Sequence, residues 1–338
     1  MTPAITGTGI YVPDAVVSGA AIAERSGIPE EVVVEKMGIV QKHVCPPDED
    51  HVTDMSVTAA ERALADAAVD PASIDLVCYH GSEYKDHIVW SAAADIAERL
   101  GATEAYAQET YALCAGAPIA LRHVDAQLRA GDIETALLVG ASREEDLVAY
   151  DDEDASFMFN FGSGASAFVV EAEAGGRARA TLEGHDAITD GQFSRDVIMP
   201  AGGSIAPPSK ATIEAGQHTL TVPDPEGMKE RLGEVTLENF VAVADEALAI
   251  GGYDRSDIDF LAVTHMKRSF HDRLVEELGV DETGSHYLDH YGHVQSVDQG
   301  LAVHEATTDD RLASGDVVLF LAAGTGYTWA ASALTWRG

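Results

Sequence analysis

The chain has 338 residues, of which 46% are hydrophobic and 7% aromatic, enough apolar surface to order two packed halves or one large two-lobed domain and to exclude a disordered chain. Its 57 Asp and Glu against 21 Lys and Arg leave a formal charge of −36, a poor match for nucleic acid and a source of self-repulsion in dilute buffer. At 1 M salt the Debye length falls to about 3 Å, so the composition reads as that of an extreme halophile with a salty cytosol.

The first residues, MTPAITGTGIYVP, lack a basic stretch followed by a long apolar core, and no later segment approaches the ~20 apolar residues of a membrane span, so a cytoplasmic location is expected. Cys45, Cys78 and Cys114 have neither C-x-x-C spacing nor an even disulfide framework, which fits a reducing compartment. A helical pattern, ERALADAAVD, precedes a polar turn and a buried strand in PASIDLVCYHGSE at 71–83. SEYKDHIVWSAAADI at 82–96 reads as an amphipathic stretch containing Trp90. AYAQETYALCAGAPIALRHVDAQLRAG then runs as a strand into Cys114 and on into an amphipathic helix, and LRAGDIETALLVGAS at 128–142 is a Gly-Asp turn leading into an apolar strand. Residues 184–235 are richer in Gly, Pro and Ser and read as a connection with an irregular excursion. Beyond it the order repeats: ENFVAVADEALAIG, the strand of RSDIDFLAVTHMK at 255–267, and RLASGDVVLFLAAGTG at 311–326. Ile74 and Ile258 are separated by 184 residues, as are Gly131 and Gly315, so one unit is used twice. The expected architecture is α/β, with mostly parallel strands in two duplicated halves, 1–183 and 184–338, packed as layers.

Cys114 is placed at a helix N-terminus, where the positive end of the helix favours a thiolate, and Ala115-Gly116 allow close backbone approach. His265 ends the strand DFLAVTH, and strand ends are where α/β folds present reactive groups. Glu83 also ends a strand, either as one acid among many or as a base beside the thiol. The G-x-G in FNFGSGASAFVV at 159–170 lacks the rest of a dinucleotide-binding fingerprint, and the spacing of His265 and His271 does not suit a metal pair. No metal or organic cofactor is expected.

The segment around Cys114 resembles the active-site turn of the β-ketoacyl-ACP synthase III enzymes of the thiolase superfamily. The resemblance extends through GTGIYVP at 7–13, EKMGIVQKHV at 35–44, FNFGSGASAFVV, THMKRSFHDRLVEELG at 264–279, YGHVQS at 291–296 and GDVVLFLAAGTGYTWAASALTW at 315–336. It implies a thiolase-like fold layered α/β/α/β/α, and an acyltransferase that carries its acyl group on Cys114 and condenses it, by decarboxylation, with a malonyl-thioester. His265 matches the family's histidine motif, whereas His293 stands where the family usually has Asn, completing instead the Cys-His-His set of elongating ketoacyl synthases. Cys114 itself with the Gly324-Thr325-Gly326 turn would form the oxyanion hole. The aromatic and basic residues that hold CoA in the family are replaced by Val32 and Lys36, leaving Lys36, Lys267 and Arg268 as the cations for CoA or for a carrier protein's pantetheine arm. Phe161 would lie near the substrate tunnel, and Trp90 in the wall of the acyl pocket and beside a homodimer interface. HGSE also looks like the Gly-x-Glu stretch of 3-hydroxy-3-methylglutaryl-CoA synthases, which would make Glu83 a general base for condensation without decarboxylation. Acyl transfer to an alcohol or amine, and a catalytically silent partner subunit, are the remaining alternatives.

Overall fold

Leu76 and Cys78 point to one side of their strand and Val77 and Tyr79 to the other, and all four are buried, which is the signature of a strand covered on both faces. In the computed structural model, which describes residues 2–281 and 283–338, this pattern recurs through the chain. The first half comprises β1 (Ala4–Tyr11), β2 (Val16–Ser18), α1 (Gly19–Ser26), β3 (Gln41–His43), α2 (Val52–Ala67), β4 (Leu76–Tyr79), α3 (Ala92–Leu100), β5 (Tyr106–Glu109), α4 (Gly116–Ala130), β6 (Thr135–Ser142) and β7 (Gly164–Glu171). The second comprises β8 (Ala180–Thr189), α5 (Lys210–Glu214), α6 (Pro225–Gly251), β9 (Ile258–Val263), α7 (Arg268–Leu278), α8 (Asp298–Thr308), β10 (Val317–Gly324) and β11 (Thr328–Trp336).

The strands form one nine-stranded sheet in the order β5-β4-β6-β7-β1-β8-β11-β10-β9. The two halves meet where β1 pairs with β8 through Ala4–Thr181 and Ile5–Ala180. Parallel β4–β6 in the first half answers parallel β9–β10 in the second, and antiparallel β6–β7 answers β10–β11, so the duplication read from equal spacing is present in the topology. Three apolar clusters define the layers. Leu121 and Val124 of α4 and Val303 of α8 pack between strands of both halves, α2 and α3 cover the outer face of the first half, and α6 and α7 cover that of the second. The result is the expected α/β/α/β/α stacking, thiolase-like in form.

Three expectations need correction. The sheet is mixed rather than mostly parallel: β4–β5, β4–β6 and β9–β10 are parallel, whereas β1–β7, β1–β8, β6–β7, β8–β11 and β10–β11 are antiparallel, because β7 and β11 return beside their partners without a crossover helix. The boundary at 183/184 falls inside β8, whose pairing begins at Ala180; the apolar start of that strand merges with the Gly-rich segment after it and hid the joint. The amphipathic stretch at 82–96 is a loop as far as Ser91, whose side chain caps α3, so only its last residues are helical. Among the described residues no helix is long and apolar enough to cross a membrane.

Candidate functional site

Cys114 lies in a tight turn, Leu113–Ala115, that runs directly into α4. Leu113 takes φ +51°, a left-handed conformation uncommon for a branched side chain, and thereby turns the chain sharply before the thiol. Two glycines make room for this turn. A Cβ on Gly116 would lie 2.2 Å from the His80 carbonyl oxygen, and one on Gly324 would lie 2.4 Å from the Ala112 carbonyl oxygen and 3.1 Å from the Cys114 amide nitrogen. The end of β10 therefore abuts the backbone of the Cys114 turn, as an oxyanion site built from Cys114 and the Gly324-Thr325-Gly326 segment requires.

The thiol is contacted from two sides. His293 Nε2 lies 3.1 Å from Cys114 Sγ, and Gln295 Oε1 lies 2.6 Å from it on the other side. Gln295 also has a positive φ, +56°, and its buried Nε2 makes no hydrogen bond; turned over, the amide would donate to a thiolate instead of accepting from a thiol. His293 Nδ1 is 2.6 Å from Asp298 Oδ2. Asp298, fully buried in the first turn of α8, also accepts from the backbone N–H of His265 at 2.7 Å and of Val294 at 2.7 Å. Burial opposes charge on His293, but the Asp298 carboxylate and the Cys114 sulfur outweigh it and hold the imidazole well above its ordinary pKa. Cys114, His293 and Asp298 thus form a chain able to exchange a proton between sulfur and imidazole.

His265 is treated oppositely. Burial, with His293, His271 and Arg268 nearby, holds it well below its ordinary pKa, so it is neutral. Neither ring nitrogen makes a hydrogen bond of good geometry, although the Gly38 carbonyl is close enough to favour the protonated ring slightly. Its ring packs against Tyr287, centroids 4.6 Å apart. A buried imidazole without partners, facing a cavity, is a donor with its N–H uncommitted.

Two cavities converge on Cys114, and Phe161 and Thr325 line both. The first, about 690 Å³, also has His265, His293, Lys229 and Lys267 in its wall. The second, about 750 Å³, is bounded by Glu83, Tyr111, Leu113, Glu144 and Gln295. The Phe161 ring meets His293 edge-on at 5.4 Å, and its backbone is tied to the same residue, since Gly162 donates to the His293 carbonyl at 2.9 Å and His293 to the Asn160 carbonyl at 2.7 Å. The fully buried Lys42 amino group donates to the Phe161 carbonyl, and burial lowers its pKa to about 7 against the pull of Glu145.

The remaining sequence candidates are placed differently. Glu83 is not the buried carboxylate expected: its side chain is 62% exposed, facing Lys85 at the edge of the second cavity, because the strand ends before it. Lys36 is exposed and lines neither cavity. Arg268 is committed to Asp289 at 2.8 Å and to the Tyr287 ring at 3.7 Å, leaving Lys267 as the exposed cation of that pair at the first cavity. Trp90 lines neither cavity; it packs on the outer core of the first half with its ring edge-on to His87. Sequence reasoning missed Asp298, Gln295 and Glu144. Asp298 carried the only local signal, an acid opening a helix five residues after a candidate histidine. Glu144 was one carboxylate in the acidic run REED at 143–146.

Residues 109–191 match the family model described as 3-oxoacyl-[acyl-carrier-protein] synthase III, and residues 248–336 match its C-terminal counterpart, together just over half of the chain. The β-ketoacyl-[acyl-carrier-protein] synthase III of Desulfitobacterium hafniense is 29% identical over 336 residues, covering 98% of this chain and 97% of that one. That of Rhodospirillum centenum is 29% identical over 335 residues, covering 98% of each. Among solved structures, the priming β-ketosynthase of the R1128 polyketide pathway superposes with a TM-score of 0.85 at 26% identity over 99% of this chain and 96% of that one. The 3-oxoacyl-(acyl carrier protein) synthase III of Pseudomonas aeruginosa shares the fold, with a TM-score of 0.86 at 22% identity over 100% of this chain and 99% of that one.

Proposed function

The chain belongs to the 3-oxoacyl-[acyl-carrier-protein] synthase III family and is an acyltransferase of the condensing type, and on that premise we propose how its residues divide the work. Cys114, as thiolate, attacks an acyl thioester; the Cys114 amide and the Gly324–Gly326 turn receive the developing oxyanion. His293, charged through Asp298, gives its Nε2 proton to the departing thiol. A malonyl-thioester then enters, CO2 leaves, and the electron pair collects on the thioester oxygen as an enolate. The N–H of neutral His265 stabilises that oxygen, joined by His293 once it is reprotonated. The enolate carbon attacks the acyl carbon, the Cys114 thiolate leaves, and a 3-oxoacyl thioester results. The observation that carries this reading is His293 Nε2 lying 3.1 Å from Cys114 Sγ with Asp298 behind it, while His265 lines the same cavity with its ring nitrogens unpaired.

Both histidines line the first cavity and neither lines the second, so the extender's pantetheine arm is assigned to the first and the acyl chain of the acyl-enzyme to the second. Lys229 and Lys267 support CoA as carrier, because an acidic carrier protein would meet a surface of its own sign. The outer edge of β5 ends the sheet beside exposed Ile88, Val89 and Tyr111, which supports a homodimer across that edge. The charge of −36 supports a protein that folds and works in multimolar salt.

Intact-mass measurement in multimolar KCl with a panel of acyl-CoAs tests the scheme. Wild type is expected to gain one acyl group and Cys114→Ala none, with malonyl-CoA then releasing CO2 and a 3-oxoacyl product. The Asp298–His293 pair also favours a second reading, acyl transfer to an alcohol or amine, since a neutral His293 oriented at Nδ1 presents Nε2 as a base. Acylation without CO2 release, and an ester or amide as product, would favour that reading.

A further inference from the structure

The second cavity contains a group that neither step above uses. Glu144 opens a short turn after β6, is 8% exposed, and forms part of the cavity wall with Cys114, Leu113, Tyr111 and Gln295. Its Oε1 accepts a hydrogen bond from Ser82 Oγ at 2.6 Å. Among the described residues no donor reaches its other oxygen. A cavity built for a plain alkyl chain gains nothing from such a group, because a chain packed over an unsatisfied carboxyl strands it away from water. We propose that Glu144 is a specificity-determining residue that selects acyl groups bearing a hydroxyl over the corresponding plain alkyl groups, by completing its hydrogen bonding with the substrate's hydroxyl.

Burial raises the carboxyl's pKa, opposed by the Ser82 hydrogen bond and by His293. A hydroxyl suits the carboxyl in either protonation state, donating to the carboxylate or accepting from the acid. Sites built to hydrogen-bond a substrate hydroxyl discriminate strongly against the analogue lacking it, whereas apolar pockets barely reject an added hydroxyl. The rest of the wall agrees: Arg143 and Asp146 also line this cavity, paired to each other at 2.7 Å, and give it a polar rim.

The proposal rests on the assignment of this cavity to the acyl group of Cys114. The test compares acylation of wild type by 3-hydroxybutyryl-CoA and butyryl-CoA, followed by intact mass in high salt, with Glu144→Leu and Glu144→Met alongside. Wild type is expected to favour the hydroxylated substrate by about tenfold or more, and both variants to lose that preference while still acylating with butyryl-CoA. A purely structural Glu144 would slow both substrates equally and leave their ratio unchanged, which would overturn the proposal. So would a wild type that favours butyryl-CoA, a result that needs no variant to fold. Labelling by neither substrate would overturn the acyl-enzyme reading and this proposal with it.

Discussion

The loop after β9 and the loop before α8 each bring one histidine to the cavity that holds the thiol, and one carboxylate, Asp298, binds both loops. Burial pushes both imidazoles toward the neutral form; Asp298 reaches the His293 ring and, with the Cys114 sulfur, outweighs burial there, but it meets His265 only through the backbone, so burial prevails at the second ring. Two side chains of one type, both buried and both lining one cavity, acquire opposite protonation states from which of their atoms the carboxylate touches. Residue type alone says little about chemical role here; the hydrogen-bonding partner decides it.

The most damaging way to break this contrast is to remove its common anchor. Asp298→Ala strands two backbone N–H groups and a buried imidazole, and is expected to cost about 3–5 kcal/mol of unfolding free energy, read by denaturant titration in high salt. Asp298→Asn keeps the shape but removes the charge, so the pKa of His293 falls. The pH profile of Cys114 alkylation should then rise at higher pH than in wild type, because a neutral His293 no longer pairs with the thiolate near neutral pH; an unmoved profile would count against the pairing. His265→Gln sharpens the contrast from the other side. Condensation with malonyl-CoA is expected to fall by about 10²–10³-fold while the first acylation proceeds almost normally. His293→Asn, which installs the residue the family usually carries, should slow Cys114 alkylation at neutral pH by about tenfold and spare much of the condensation that follows.

The effect with least bearing on the contrast concerns a buried imidazole away from the thiol. Burial holds His185 at a pKa of about 4, so the folded chain keeps it neutral while the unfolded chain takes up a proton below about 6.5. Its contribution to stability is whole above pH 6.5 and is lost as pH falls toward 4, by up to about 3 kcal/mol. His185→Gln should flatten the fall of Tm over that range, measured by thermal scans at fixed salt; an unchanged slope would mean that the ring is not held neutral.

How far such a site can be read from sequence depends on what each residue's role requires. The nucleophile, both histidines and the glycine turn announce themselves through local order, because a strand ending in a reactive residue, or a small residue where backbones meet, leaves a pattern along the chain. The duplicated halves were visible for the same reason, as equal spacing of equivalent turns. Asp298 leaves only a faint trace, an acid opening a helix shortly after a histidine, and Glu144 leaves none: its importance comes from burial and from a partner distant in sequence, Ser82, 62 positions away. In a chain with 57 acids, composition conceals the few that are buried. Glu83 illustrates the converse, a carboxylate at an expected strand end that the chain turns outward once β4 stops at Tyr79.

Leu113 and Gln295 stand on either side of the thiol, and both hold backbone angles that most residues would abandon. Their cost is met by the surrounding fold and returned only as the aim of one sulfur atom. Selection for heat tolerance alone would therefore tend to relax these two positions first, yielding a sturdier protein with a misdirected nucleophile. The reactive turn is thus where an evolutionary history of this chain under changing temperature or salinity would leave its clearest record, as compensating changes gathered around residues that could not themselves be eased.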